Sequence, residues 1–223
     1  MAPVAHQLCI CLIWRWPAGD ERAADVTGSV LKGRRVVLRE KRWEDLDRDY
    51  KWKSDPEIAR LDATLPVQLS LSQFRALYIY QPPSMEWESR TFGIDTIDGE
   101  HIGNCMYYNL DQHLHTVEIG IIIGESAYWN KGYGAEAVEI LLRHIFESTR
   151  VRKIHLHTLD WNARAQKCFE KCGFRRVGLR NREGYVFLVM ELERVRWEEI
   201  TSSGEEGPGE QAPAVSPTAE QSK

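Results

Sequence analysis

The sequence predicts an α+β fold, a mixed and mostly antiparallel central sheet flanked by helices in three layers, with one parallel junction in the middle. Two observations carry this. The Asp98-Gly99 pair lies between two runs with strand-like alternation and marks a tight hairpin, so the sheet is antiparallel there. The apolar run Ile119-Gly120-Ile121-Ile122-Ile123 leads through a glycine loop into a long amphipathic pattern and on to a further strand. A helical crossover of that kind joins parallel strands.

The elements follow in order. Val36 to Arg39 reads as the first strand, with helical stretches near Trp43 to Ser54 and Ser70 to Tyr80. Strands are expected at Ser89 to Thr96, His101 to Asn109 and His115 to Gly124, the second antiparallel to the first and the third to the second. From Asn130 to about Ser148, Val138, Leu141, Leu142 and Ile145 share one helix face, and Glu139 and Arg143 form an outward i, i+4 pair. Lys153 to Leu159 is the strand after the crossover. The next helix is announced at both ends, by Asn162 as a good N-cap and by Gly173 where a left-handed residue ends helices. Between them Ala165, Cys168, Phe169 and Cys172 repeat at i, i+3, i+4, i+7. Strands at Arg175 to Leu179 and Tyr185 to Leu192 complete the sheet.

A chain of 223 residues with 43% hydrophobic residues can bury one full core, so a single folded domain is expected over residues 32–200. Residues 1–31 read as a poorly ordered leader. Leu8 to Trp16 is apolar but too short to span a bilayer, and no Lys or Arg precedes it as in a signal peptide, so no membrane partner is expected. Residues 201–223 are rich in Ser, Gly, Pro and Glu and are expected to be a disordered tail. That tail holds −3 of the formal net charge of −4, so the domain is nearly neutral and lacks the basic surface that nucleic acid requires. The five cysteines show no repeated Cys-x-x-Cys spacing, which points to reduced thiols in a cytoplasmic protein and to no metal site. The pairs His113/His115 and His155/His157 each read as neighbours on one side of a strand, packed or exposed rather than ligating.

The chemistry-bearing segment is Trp129-Asn130-Lys131-Gly132-Tyr133-Gly134-Ala135. Its glycines allow a sharp turn, and the helix it opens presents unpaired N–H donors and the positive end of its dipole, a site for phosphate or pyrophosphate. It is neither a P-loop nor the three-glycine dinucleotide fingerprint.

Five segments in unbroken order from Arg35 to Trp197 resemble the GNAT N-acetyltransferases, within them the branch of ribosomal-protein alanine and spermidine acetyltransferases. They are Val37-Leu38-Arg39 with Trp43 to Ile58, Val117-Glu118-Ile119-Gly120, Tyr128 to Ala137, Asn162 to Phe174, and Arg182 to Met190. The resemblance implies that the two central parallel strands splay apart and that the pantetheine arm of acetyl-CoA fills the gap like an extra strand. Ile121, Ile122 and Ile123 would then face the pantetheine, Trp129, Asn130, Lys131, Gly132, Tyr133, Gly134 and Ala135 the pyrophosphate, and Asn162, Ala165 and Phe169 the cofactor's other side. Trp129 stands where the wider family has Arg or Gln, a change its own branch shares and an N–H cradle tolerates.

The implied activity is acetyl transfer to a primary amine, with a small amine or a protein N-terminus as acceptor and a homodimer as a frequent family assembly. Such an amine is protonated at neutral pH and needs a base. Glu118 is the candidate, since partial burial on an apolar strand would raise its pKa. A backbone N–H near Ile121 or Ile122 would serve the oxyanion. Many relatives carry Tyr as a general acid where this chain has Phe169, so either Tyr128, Tyr185 or Cys172 protonates the thiolate or it leaves unassisted. The acceptor would lie over the early helices and Tyr107, Tyr108 and Asn109, with Tyr78, Tyr80 and Trp87 as further aromatic candidates. The alternative to an enzyme is a CoA-binding sensor or partner-binding module without turnover.

Overall fold

A computed structural model describes residues 30–79 and 89–205. An eight-stranded sheet runs β1 (Leu31–Lys32), β2 (Val36–Glu40), β3 (Arg90–Thr96), β4 (His101–Asp111), β5 (Thr116–Ile123), β6 (Lys153–Leu159), β8 (Tyr185–Glu193) and β7 (Arg175–Arg182) in spatial order. Every pairing is antiparallel except β5 with β6, as the helical crossover requires. The helices are α1 (Leu46–Ser54), entered through a 3-10 turn at Trp43–Asp45, then α2 (Pro56–Leu61), α3 (Leu71–Ile79), α4 (Tyr133–Ser148), α5 (Ala163–Lys171) and α6 (Arg194–Glu205).

Local chemistry accounts for most of the boundaries. The Asp55 side chain accepts from the amides of Glu57 and Ile58, with Pro56 at the first turn, so α2 starts as a separate short helix where one continuous stretch ending at Ser54 was expected. Helix α4 starts at Tyr133 and not at Asn130, because Asn130 (φ 59°) and Gly132 (φ 89°) are left-handed and interrupt any helix through them. The Asn162 side chain caps α5 by accepting from the Ala165 amide at 3.2 Å, and Gly173 (φ 95°) ends it. Helix α6 is an element that composition alone does not announce, and it carries the described chain five residues past residue 200. His113 and His115 sit in the turn between β4 and β5, where the Asp111 side chain accepts from the His113 and Leu114 amides, so they do not share a strand face as expected.

The core lies between one sheet face and α4. Val138, Leu141, Leu142 and Ile145 are buried against Leu38, Phe92, Val117, Ile154 and Leu156. On the opposite face, α1 is tied to the sheet by a buried ionic cluster. Arg39 makes a pair of hydrogen bonds to each of Asp45 and Asp95, while the Lys41 Nζ donates to Asp49 and Asn104, both at 2.6 Å.

Candidate active site

Strands β5 and β6 stay paired for only three residues, Thr116 with Lys153, Val117 with Ile154 and Glu118 with His155. Beyond Glu118 they diverge, while β5 remains paired to β4 as far as Ile123 with Gly103. The Gly124 amide donates to the Ile102 carbonyl on the β4 side, so alternation turns the backbone groups of Ile121 and Ile123 to the open edge. The Ile123 carbonyl is taken there by the Trp129 indole N–H at 2.6 Å. Ile121 keeps the free amide, whereas Ile122 faces β4, which narrows the two oxyanion donors suggested by sequence to one.

The divergence opens a cleft of about 630 Å³. Trp129, Asn130, Gly132, Gly134 and Ala135 line it at the α4 end, and Asn162, Ala165 and Phe169 line the facing wall. Lys131 and Tyr133 do not reach it. The Lys131 carbonyl accepts from the Arg35 guanidinium behind the loop, and Tyr133 packs edge-on against Tyr128. Gly132 precedes α4 with no side-chain cap, so the first amides of this sixteen-residue helix are left for a ligand. Arg164 stacks over the Trp129 ring at 3.7 Å, giving that indole a structural role in the cleft wall.

Glu118 stands where the strands part. It accepts hydrogen bonds from Tyr108 Oη and from His157 Nδ1, both at 2.8 Å, and from Asn109 Nδ2 at 3.3 Å; His155 Nε2 lies 3.6 Å away. A bulge between Tyr108 and Asp111 makes this possible, because Asn109 (φ 55°) turns its side chain to the face that Tyr108 already occupies. Burial does press the Glu118 carboxyl upward, as expected, but the donors His155, His157 and Tyr108 outweigh it and hold the pKa well below the usual carboxylate range. The expectation of a raised pKa is therefore corrected: the donors together outweigh the desolvation. Glu118 is a firmly held anion.

The expected proton donors for a thiolate are otherwise engaged or elsewhere. Tyr128 Oη donates to Glu100 at 2.6 Å, and the Cys172 thiol, pushed up by its hydrogen bond with Cys168 and by burial, points to the Ala135 carbonyl at 3.6 Å. Tyr185 is not part of the cleft wall. Tyr108 and Asn109 line the cleft, but Tyr107 points to the other face and packs near His144, as strand alternation requires. Tyr78 packs on Phe74, and Tyr80 and Trp87 lie outside the described residues. Sequence reasoning undervalued His155 and His157. The signal was their period-two spacing opposite Glu118 across a parallel pair, which only the register could reveal.

Residues 35–175 match the family model described as an acetyltransferase (GNAT) domain. The chain belongs to the GNAT acetyltransferases. It is an acetyl-CoA-dependent N-acetyltransferase by family, and its mixed sheet with a splayed parallel pair is the family's fold. Among relatives, it is 29% identical over 147 residues to the uncharacterized N-acetyltransferase p20 of Bacillus licheniformis, covering 65% of this chain and 82% of that protein. It is 26% identical over 155 residues to an aminoglycoside N(6')-acetyltransferase type 1 of Klebsiella pneumoniae, covering 64% of this chain and 75% of the relative. A solved spermidine N-acetyltransferase of Vibrio cholerae, in complex with CoA and spermine, superposes with a TM-score of 0.63 at 20% identity, over 73% of this chain and 98% of that one. That last likeness speaks to the fold. Among the described residues, no helix is long and apolar enough to cross a membrane and no group of three His, Cys, Asp or Glu side chains could hold a metal ion.

Proposed function

We propose that this protein transfers the acetyl group of acetyl-CoA to a primary amine within the cleft between β5 and β6. The observation that carries the reading is the divergence of those strands immediately beyond Glu118, with uncapped helix amides at one end of the gap and a half-buried carboxylate at the other. When bound, acetyl-CoA supplies an activated acetyl thioester. The loop Trp129 to Ala135 would hold its pyrophosphate through main-chain amides, with Lys131 and Tyr133 supporting the loop from behind. The open edge of Ile121 and Ile123 would take the pantetheine as a strand, and Asn162, Ala165 and Phe169 would close the other side. The Ile121 amide would steady the carbonyl oxygen as negative charge develops on it.

For the acceptor, the charge of the cleft is informative. Arg180 and Arg182 on β7 line it together with Tyr108 and Glu118. Arg182 has only an exposed neighbour, Glu183, as ion-pair partner at 3.5 Å, and Arg180 has none among the described residues. Two such arginines favour an amine that also carries a carboxylate or phosphate over a polycation. The test is calorimetric titration with CoA beside thiol release from acetyl-CoA across amino acids, acidic and basic N-terminal peptides, polyamines and aminoglycosides. Release with the anionic amines supports the whole reading, release with polycations alone overturns the acceptor class, and CoA binding without release for any acceptor favours the non-catalytic module.

A further inference from the structure

The donor geometry around Glu118 fixes more than its own charge. An ionised carboxylate can only accept, so the Nδ1 of His157, 2.8 Å from Glu118 Oε1, must carry the shared hydrogen. In its neutral form the ring then keeps its lone pair on Nε2. No described residue forms a hydrogen bond with that nitrogen, and His157 itself lines the cleft. His157 sits two residues beyond the last β5–β6 pair, on the β6 wall of the gap, while the free Ile121 amide is on the β5 wall. Glu118, in contrast, spends both oxygens on Tyr108, Asn109 and His157.

We propose that His157 is the proton acceptor of the transfer and that Glu118 is the residue that positions it, fixing the Nδ1–H tautomer and favouring the imidazolium once formed. This rests on the transferase reading. His157 takes one proton from the substrate ammonium on Nε2, freeing the nitrogen lone pair. The C–N bond forms as the C–S bond breaks, the sulfur leaves with the electron pair, and His157 returns its proton to that sulfur. The second N–H proton leaves to water at the cleft mouth, so the balance is ammonium plus thioester giving amide, thiol and one released proton. A returning proton from His157 also explains how the site operates with Phe169 in place of a hydroxyl donor.

The groups facing His157 are Glu118 from β5, Tyr108 and Asn109 from β4, His155 on its own strand and Phe187 from β8, with Arg180 and Arg182 of β7 and Asp62 after α2 on the same cleft. Long-range proton–nitrogen NMR of histidine-labelled protein without ligand should show neutral His157 as the Nδ1–H tautomer. That preference for Nδ1–H should weaken in Glu118→Gln, since an amide can donate as well as accept at that position. With the best acceptor, His157→Gln should lower kcat at least ~100-fold and remove the acidic limb of the pH–rate profile, while CoA affinity stays nearly unchanged. Glu118→Gln should lower kcat with little change in CoA affinity, and imidazole should restore part of the rate to His157→Ala. An Nε2–H tautomer, or a His157→Gln enzyme that keeps its rate and its acidic limb, overturns the assignment while leaving the transferase reading intact. Absence of thiol release by the unaltered protein with every acceptor overturns both.

Discussion

At the scale of single residues, the site is an arrangement of donors around one carboxylate, and its consequences differ from those of a lone buried acid. A carboxyl held low by His155, His157 and Tyr108 is ionised at any pH near neutrality. Phe169 packs against Phe174 at a ring separation of 5.9 Å and contributes shape. Phe169→Tyr is therefore expected to leave turnover far below the ~100-fold gain that a missing general acid would provide, as steady-state thiol release would show. Gly132 requires its left-handed φ of 89°. Gly132→Ala should cost about 1–2 kcal/mol in urea unfolding and weaken CoA binding by shifting the loop. The turn of this loop was legible in the sequence, because glycines ahead of an amphipathic pattern mark where the chain bends into the helix. The histidines were not, because a pair two apart on a strand reads the same whether it faces solvent, core or a carboxylate.

At the scale of elements, the buried cluster fastens α1 to the sheet. Trp52 of α1 packs on His101 and passes directly over Gly124, where an added Cβ would lie 2.1 Å from the ring. Gly124→Ala should therefore destabilise the fold by about 2 kcal/mol or more, measured by chemical denaturation, because a fixed ring cannot give way. Asp45 is buried, which alone would raise its pKa. The Arg39 hydrogen bonds, with Lys41, His101 and the Arg42 amide, bring it down to about 2. A depressed acid contributes stability that is complete above its unfolded value, about 4, and that is lost as pH falls through its folded value. Stability should thus decline as pH falls from about 4 towards 2, and Asp45→Asn should lower stability at pH 7 by about 3 kcal/mol while flattening that decline, read from unfolding curves across pH. None of this cluster was foreseen: Arg39, Asp45 and Asp95 are ordinary surface residue types, and only the sheet register brings them together. The crossover between β5 and β6 was foreseen, since chain connectivity alone demands it.

At the scale of the whole molecule, a mixed sheet with a single parallel junction places one discontinuity in an otherwise continuous hydrogen-bonded surface, and the cleft occupies it. Core and site use opposite strand faces. Val117, Ile154 and Leu156 turn to α4, and Glu118, His155 and His157 turn to the cleft. This alternation allows the site residues to change without disturbing the core, and it explains why the fold was legible from hydrophobic pattern while the acceptor was not. The proposed preference for an anionic amine rests on Arg180 and Arg182 of β7. Replacing both Arg180 and Arg182 with Gln should raise KM for an anionic amine at least ~10-fold with little change in CoA affinity, since each removes a charge-assisted contact.

In the proposed complex the cofactor occupies the gap between β5 and β6 as an added strand. Amide hydrogen exchange in the presence and absence of CoA tests it most directly. The Ile121 amide should exchange readily in the free protein and become protected by CoA together with those of Gly134 and Ala135, while the Ile122 amide, already on the β4 side, should change little. Protection confined to other surfaces, with Ile121 unaffected at saturating CoA, would contradict it.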